Sequence, residues 1–253
     1  MPHDTPVTIN FHPDTRLQGE LAIERMARDG IYRSQFETGT SSGGLTARPG
    51  GDRWRWESEI FGGAYDAAEP ALRPKYGALN FRHNLIGGSP RFGSCHLRLR
   101  PHVLARTTFC YPDSHLKPEA FGMADRMALV DLAEQNLLRL DAVLDNYIEA
   151  HVHGPVSIEE DVEALVLDPS YRDTAVGEAA LRLGCDIEWH DGFRLRLERL
   201  LAHETFRPKP AIDAIVRLAI TTPADIGAAH GDLLDYQTAK WVWHCVARFG
   251  RDH

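Results

Sequence analysis

Asn146-Tyr147-Ile148-Glu149-Ala150-His151-Val152-His153-Gly154 alternates with a period of two. Successive side chains of a β-strand point to opposite faces. Ile148, Ala150 and Val152 then share an apolar face, and Tyr147, Glu149, His151 and His153 share a polar one. Four large polar side chains on one strand face need water, partners or a ligand, because an unpaired buried polar group is costly. The stretch predicts a strand whose polar face meets either a cleft or open solvent. His151 and His153 also form a bare H-x-H pair, a weak chelating pattern, and no metal is assigned to it.

Val162–Leu167 reads as the neighbour of that strand, joined to it through Gly154-Pro155 and an acidic turn. Upstream, Val7-Thr8-Ile9-Asn10-Phe11-His12 alternates in the same way, with Thr8, Asn10 and His12 on its polar face, and Pro13 ends it for want of a ladder donor. A short helix over Gly19–Arg28, stopped by Asp29-Gly30, and a second strand over Ile31–Phe36 are expected next. Thr38–Gly51 is dense in Gly, Ser and Thr and reads as a loop. Asp52–Phe61 suits a short helix. Tyr76–Phe81, Ser94–Leu99 and Arg106–Cys110 are short strand-like runs, a spacing that favours a mainly β core over a Rossmann-type array. Neither G-x-G-x-x-G nor G-x-x-x-x-G-K-[ST] occurs, so both common nucleotide fingerprints are absent. Met123–Leu144 reads as a helix. After Tyr171 the pattern turns helical, over Gly177–Leu183, Gly192–His203, Ala211–Ile220 and Pro223–Arg248. The expected division is a β-rich unit over residues 1–171 and a helical extension over 172–253.

The 253 residues suffice for one large domain or one with an appendage. An ordinary apolar and charged content excludes a disordered tail, a collagen-like chain and a coiled-coil rod. No apolar run approaches the length of about 18 residues that a spanning helix needs, and Met1–Asp14 lacks the apolar core of a signal peptide. Cys95, Cys110, Cys185 and Cys245 lie far apart without a C-x-x-C pair, the pattern of reduced thiols in a cytoplasmic protein. Charge is uneven. Met123–Ser170 holds 11 acidic residues against 2 basic ones, whereas Arg16–Arg106 holds 14 basic against 9 acidic, 13 of the 14 being Arg. A net charge of −8 disfavours a whole-protein nucleic-acid field. An Arg-rich pocket for a phosphorylated small molecule is compatible with it.

Several other residues could carry chemistry. His12 ends the polar face of the first strand, and Arg33 is a candidate for phosphate or carboxylate recognition. Thr107 and Thr108, in Arg106-Thr107-Thr108-Phe109-Cys110-Tyr111-Pro112-Asp113-Ser114, could bond a ribose or an amide, although β-branching alone explains them. Tyr76 offers an aromatic face beside the flexible Gly77. No Ser-His-Asp or Cys-His-Asn signature stands out, and a buried structural role suits Cys95 and Cys110.

Ile9-Asn10-Phe11-His12-Pro13-Asp14, the helix with Leu21 and Ile23, and Asp29-Gly30-Ile31-Tyr32 together resemble the opening of the ADP-ribosyltransferase fold. Arg106–Phe109 with Asp113-Ser114 resembles a middle strand of its bacterial toxin-type members. Tyr147–Gly154 followed by Asp161–Leu167 resembles their late catalytic hairpin. A likeness covering most of the chain is to an uncharacterised bacterial family of unknown function. It is carried by Arg33–Gly39, Gly50-Gly51-Asp52-Arg53-Trp54, Pro74–Asn80 and Arg91–His96. The transferase resemblance covers about residues 7–170. It implies an α+β fold, a split β-sandwich with a mostly helical C-terminal extension, and a cleft for NAD as substrate.

It also implies roles. Glu149 would be the catalytic carboxylate that bonds the nicotinamide ribose and stabilises an oxocarbenium-like transition state. His12 would hold the ADP-ribose or ribose, with Arg33 its rival and a candidate for the pyrophosphate. Thr107 or Thr108 would flank nicotinamide, with Tyr76 as a stacking surface, and His151 would complete the NAD-binding set. Toxin-type members carry Glu-x-Glu or Gln-x-Glu where this chain has Glu149-Ala150-His151. The implied activity is transfer of ADP-ribose to an acceptor that is a protein, a nucleic acid or a small molecule, with release of nicotinamide. The competing expectations are an inactive ligand- or partner-binding module on the same scaffold, and a metal hydrolase using His151 and His153. No membrane partner is expected.

Overall fold

The computed structural model describes residues 5–39, 46–136, 141 and 143–251. The first strand, β1 (Val7–Phe11), is followed by β2 (Arg16–Leu17), β3 (Glu20–Leu21), α1 (Ala22–Asp29), β4 (Ile31–Tyr32) and α2 (Gln35–Thr38). Next come α3 (Asp52–Ile60), β5 (Lys75–Leu79), β6 (Cys95–Leu99), β7 (Thr107–Tyr111), β8 (Ala120–Met123) and α4 (Leu129–Gln135). Then follow β9 (Ile148–Val152), β10 (Val156–Ser157), α5 (Ile158–Asp161), β11 (Val162–Leu167), α6 (Ala175–Ala180) and β12 (Asp186–Trp189). Four helices complete the chain: α7 (Leu197–Leu201), α8 (Lys209–Leu218), α9 (Pro223–Ala229) and α10 (Tyr236–Phe249).

The α+β class stands. Eight strands form one mostly antiparallel sheet, in the order β12-β11-β6-β1-β5-β9-β7-β8, with only β11 and β12 parallel. One face carries Val7, Ile9, Leu79, Leu97, Phe109, Ile148, Val152 and Leu165, packed against Ile23 and Met26 of α1 and Val176 and Ala179 of α6. The alternation of β1 and β9 thus separates core from site, as the sequence predicts.

The opposite face is buried too, but under backbone. Asn10 Nδ2 donates to the carbonyls of Ile86 (2.8 Å) and Gly93 (3.2 Å), and Asn10 Oδ1 accepts from the Ser89 amide. Thr8 Oγ1 accepts from the Gly88 amide at 2.8 Å. Polar side chains on this face therefore satisfy the crossing segment, which would otherwise bury unpaired amides. Gly93 sits so close to β1 that a Cβ there would stand 2.0 Å from the Phe11 carbonyl carbon.

The helices from α7 onward form a second core around Phe193, Leu200, Ile212, Ile215, Val242, Trp243 and Val246, joined by Ile86 and Leu144. Trp243 pins it to the sheet layer, its Nε1–H donating to the Pro90 carbonyl at 2.9 Å.

Four expectations change. The strand expected over Ile31–Phe36 stops at Tyr32, because Ser34 and Glu37 form a reciprocal cap that starts α2. Val162–Leu167 is a strand, but β6, β1 and β5 lie between it and β9, so the two are no hairpin. The helix expected over Met123–Leu144 is broken at its start by a turn in which the Arg126 amide bonds the Met123 carbonyl, leaving Met123 in β8. Residues 137–140 and 142 of that span, and 40–45 of the expected loop, lie outside the described residues. Finally, Asp186–Trp189 adds an edge strand to the sheet, so β structure continues past residue 171. No helix among the described residues is long and apolar enough to cross a membrane, and all four cysteines are free.

Candidate active site

Registers on the polar face set two rows of side chains. Ala78 lies opposite Glu149, which lies opposite Cys110. Tyr76 lies opposite His151, which lies opposite Thr108. Ala78 is fully buried, with Gly88 packed over it. A cleft of about 130 Å³ reaches Glu149 and Tyr76 of these rows, lined also by Asn10, Gly77, Arg53 and Ser114, whereas Thr108 and His151 lie behind its wall and do not line it.

Glu149 is only 4% exposed. Its Oε2 accepts from Ser114 Oγ at 3.1 Å, and its Oε1 lies 3.1 Å from His151 Nε2. Burial pushes this carboxyl up, but His151, Arg53 and Ser114 outweigh it and hold the group below the usual carboxylate range. An anion is thus kept in a place from which water is largely excluded.

A single hydrogen-bonded chain runs outward from it. Tyr65 Oη lies 2.6 Å from His153 Nδ1, and His153 Nε2 lies 2.9 Å from Thr108 Oγ1. Thr108 Oγ1 lies 3.2 Å from His151 Nδ1. A carboxylate only accepts, so His151 Nε2 carries a proton, and for a neutral ring Nδ1 accepts from the Thr108 hydroxyl. That hydroxyl then accepts from His153 Nε2–H, and Tyr65 donates to His153 Nδ1. Each link then has one donor and one acceptor. Burial, with His151 and Arg106 nearby, pushes His153 down to about 4, in keeping with its neutral state.

On the other side, Arg53 Nη1 donates to Ser114 Oγ at 3.1 Å, and its guanidinium lies over the Tyr76 ring, 4.1 Å from the centroid. Tyr76 Oη donates to Glu57 Oε1 at 2.7 Å, and Arg73 Nη1 donates to Glu57 Oε2 at 2.6 Å. Arg53 and Glu57 sit one turn apart on α3 and are its buried residues. Trp56, Phe61 and Tyr76 ring His151, with centroids 5.3, 5.5 and 5.6 Å away.

Of the residues singled out from sequence, Glu149, Tyr76, His151 and Thr108 come together. Thr107 does not, since alternation turns it to the other face, where Oγ1 bonds the Val103 carbonyl at 2.8 Å. His12 lies just past the end of β1 and does not line the Glu149 cleft, although a cleft it does line shares Arg91, Phe92 and Lys240 with it, and its ring stands edge-on to Trp243 at 4.9 Å. Burial and nearby His230 push it down to about 4. Arg33 is committed to Asp29 and Glu37, at 2.9 and 3.1 Å, and lines a cleft that Glu149 does not. The β1 position that reaches the Glu149 cleft is Asn10. Sequence reasoning missed Arg53, Glu57 and Ser114 as site residues. The i, i+4 spacing of Arg53 and Glu57 on a helix otherwise rich in Trp was the available signal.

His153 is held by Tyr65 and Thr108, so it does not pair with His151 as a chelate. Among the described residues, Cys110, Glu149 and His151 form a group whose ligand atoms all lie within 4.8 Å of one another.

A family model described as a protein of unknown function, DUF3626, matches residues 6–138 and 129–249. The chain belongs to that family, as the likeness in the Arg33–Gly39 and Pro74–Asn80 stretches suggested. The match carries no activity with it. No curated protein matches the chain.

Proposed function

We propose that this protein is an NAD-dependent ADP-ribosyltransferase with Glu149 as its catalytic residue. The observation that carries the reading is the buried, ionised Glu149 carboxylate at the wall of a cleft, fixed on one side by Ser114 and on the other by His151. In the reaction the bond between ribose C1′ and the nicotinamide nitrogen breaks, and nicotinamide leaves with the bonding electrons. The positive charge left on the ribose is greatest in the transition state, where a pre-set carboxylate stabilises it most. An acceptor nucleophile then bonds C1′ and gives up its proton. Glu149 also accepts from the ribose 2′-OH, and Tyr76 and Gly77 line the nicotinamide end.

The transferase-type fold is part of this proposal. What supports it is a mostly antiparallel sheet with Glu149 on an inner strand and α1 and α6 packed on the opposite face. The run α1, Gly30, β4 keeps the expected order of helix, glycine and strand, although β2 and β3 follow β1 and β4 pairs only with β10.

The test is incubation with NAD labelled in nicotinamide, comparing the native chain with Glu149→Gln. Release is expected from the native chain, with a loss of at least about a hundredfold in the variant. Equal release from both removes Glu149 from the mechanism. NAD binding without release marks an inactive binding module instead. The compact Cys110, Glu149 and His151 group favours a second reading, a metal-assisted hydrolase. Stoichiometric zinc uptake lost in Cys110→Ser would support it, and absence of uptake would end it.

A further inference from the structure

A second, larger cavity of about 450 Å³ continues from the Glu149 cleft and shares Arg91, Asp113 and Lys240 with it. Arg207 and His244 also line it. Its cations outnumber their partners. Arg91 Nη1 pairs with Asp145, and Asp113 accepts from the Tyr147 hydroxyl and remains an anion, so the lining carries three cations against two carboxylates. Arg207 makes its bonds to neutral groups, the Phe206 carbonyl and His244 Nδ1. Lys240 has neither hydrogen bond nor ion pair among the described residues.

His244 adds an independent observation. It is 3% exposed, and its Nε2 has no partner. Because Arg207 Nε–H donates to Nδ1 at 3.1 Å, Nδ1 is the acceptor nitrogen, and the proton of the neutral ring stands on Nε2. Burial, followed by Arg91, Arg207 and Lys240, pushes this ring far down, so it is neutral. The cavity wall thus carries one more cation than carboxylates, beside a buried ring whose Nε2–H has no acceptor.

We propose that this cavity is a diphosphate subsite, in which Arg91, Arg207 and Lys240 face phosphate oxygens and the buried His244 ring orients Arg207 through its Nδ1. It rests on the transferase reading for the identity of its occupant, the ADP portion of NAD. The two cavities join at Arg91 and Lys240, so the diphosphate would lie between the adenosine and the ribose held at Glu149.

Calorimetric titration of the full chain with ADP, ADP-ribose and adenosine tests the assignment. ADP and ADP-ribose are expected to bind, and adenosine at least tenfold more weakly. Lys240→Gln, at a half-buried position, and Arg207→Gln are each expected to weaken ADP at least tenfold with melting curves unchanged. Arg207→Lys is the second variant should Arg207→Gln melt early. Adenosine binding as tightly as ADP, unaltered ADP affinity in the Lys240 and Arg207 variants, or no ADP binding at millimolar concentration would each overturn the subsite. The two readings fail separately. ADP affinity that depends on Lys240, without nicotinamide release, keeps the subsite and removes the transferase. Nicotinamide release with an unchanged KM for NAD in Lys240→Gln does the reverse.

Discussion

Thr108 occupies the middle of the hydrogen-bonded chain that ends on Glu149, and its hydroxyl has both an acceptor and a donor to satisfy. Thr108→Val keeps the shape and removes both links. Nicotinamide release is expected to fall about tenfold, the worth of one hydrogen bond of about 1.4 kcal/mol, and Thr108→Ser to restore it. A steady-state comparison of the three proteins checks this. Glu57 is a structural counterpart. With side chains 0% and 4% exposed, Glu57 and Arg73 form a buried ion pair. Glu57→Ala leaves the Arg73 charge unmatched, and urea unfolding should show a loss of about 3–5 kcal/mol. The sequence pattern makes Glu149 and His151 visible, because alternation alone puts them on one face. It cannot reveal Thr108 as a link or Glu57 as a partner, since strand register and helix docking decide both.

At the scale of elements, what was legible follows from periodicity over a few residues. β1, β5, β6, β7 and β9 fall within a residue or two of their expected places, and α3 matches to one residue. Pairing was not legible. A strand following a Gly-Pro turn reads as a hairpin partner, yet β11 bonds β6 and β12. The Ile31–Phe36 misreading has a local cause, since the cap between Ser34 and Glu37 overrides the β-propensity of the residues before it. The packing of the crossing segment on β1 yields a prediction at this scale. Gly93→Ala would drive a methyl group into the Phe11 backbone. A loss of at least about 1–3 kcal/mol is expected, read as a lowered thermal midpoint, while Gly39→Ala, with open space around it and a positive φ, should cost less than Gly93→Ala.

For the molecule as a whole, buried histidines set the response to acid. Burial, with His190 and Arg98 nearby, pushes His96 down to about 3, and His244 is pushed down as well. Both are almost fully buried. In the unfolded chain they take up protons below about 6.5, whereas in the native state they stay neutral. The unfolded state therefore binds more protons as pH falls, and stability is lost from about pH 6.5 downward. Each such ring contributes up to about 1.4 kcal/mol per pH unit in that window. Asp14 works the other way. Burial raises it to about 6 despite the Tyr171 hydroxyl bond, so its protonation favours the native state between about pH 4 and 6. Unfolding midpoints in urea at pH 7 and pH 5 should show a net fall, and His96→Gln should flatten it.

Lys240 belongs to α10, although the carboxylate it accompanies is on β9. On a ribosome, strand β9 emerges some ninety residues earlier than that helix. A half-made chain can hold Glu149, His151 and Tyr76 yet has nothing to close the far wall of the cleft. Trp243, the indole that bonds the Pro90 carbonyl, arrives with that same helix. The enzyme proposed here would therefore gain a complete cleft wall only once α10 has docked.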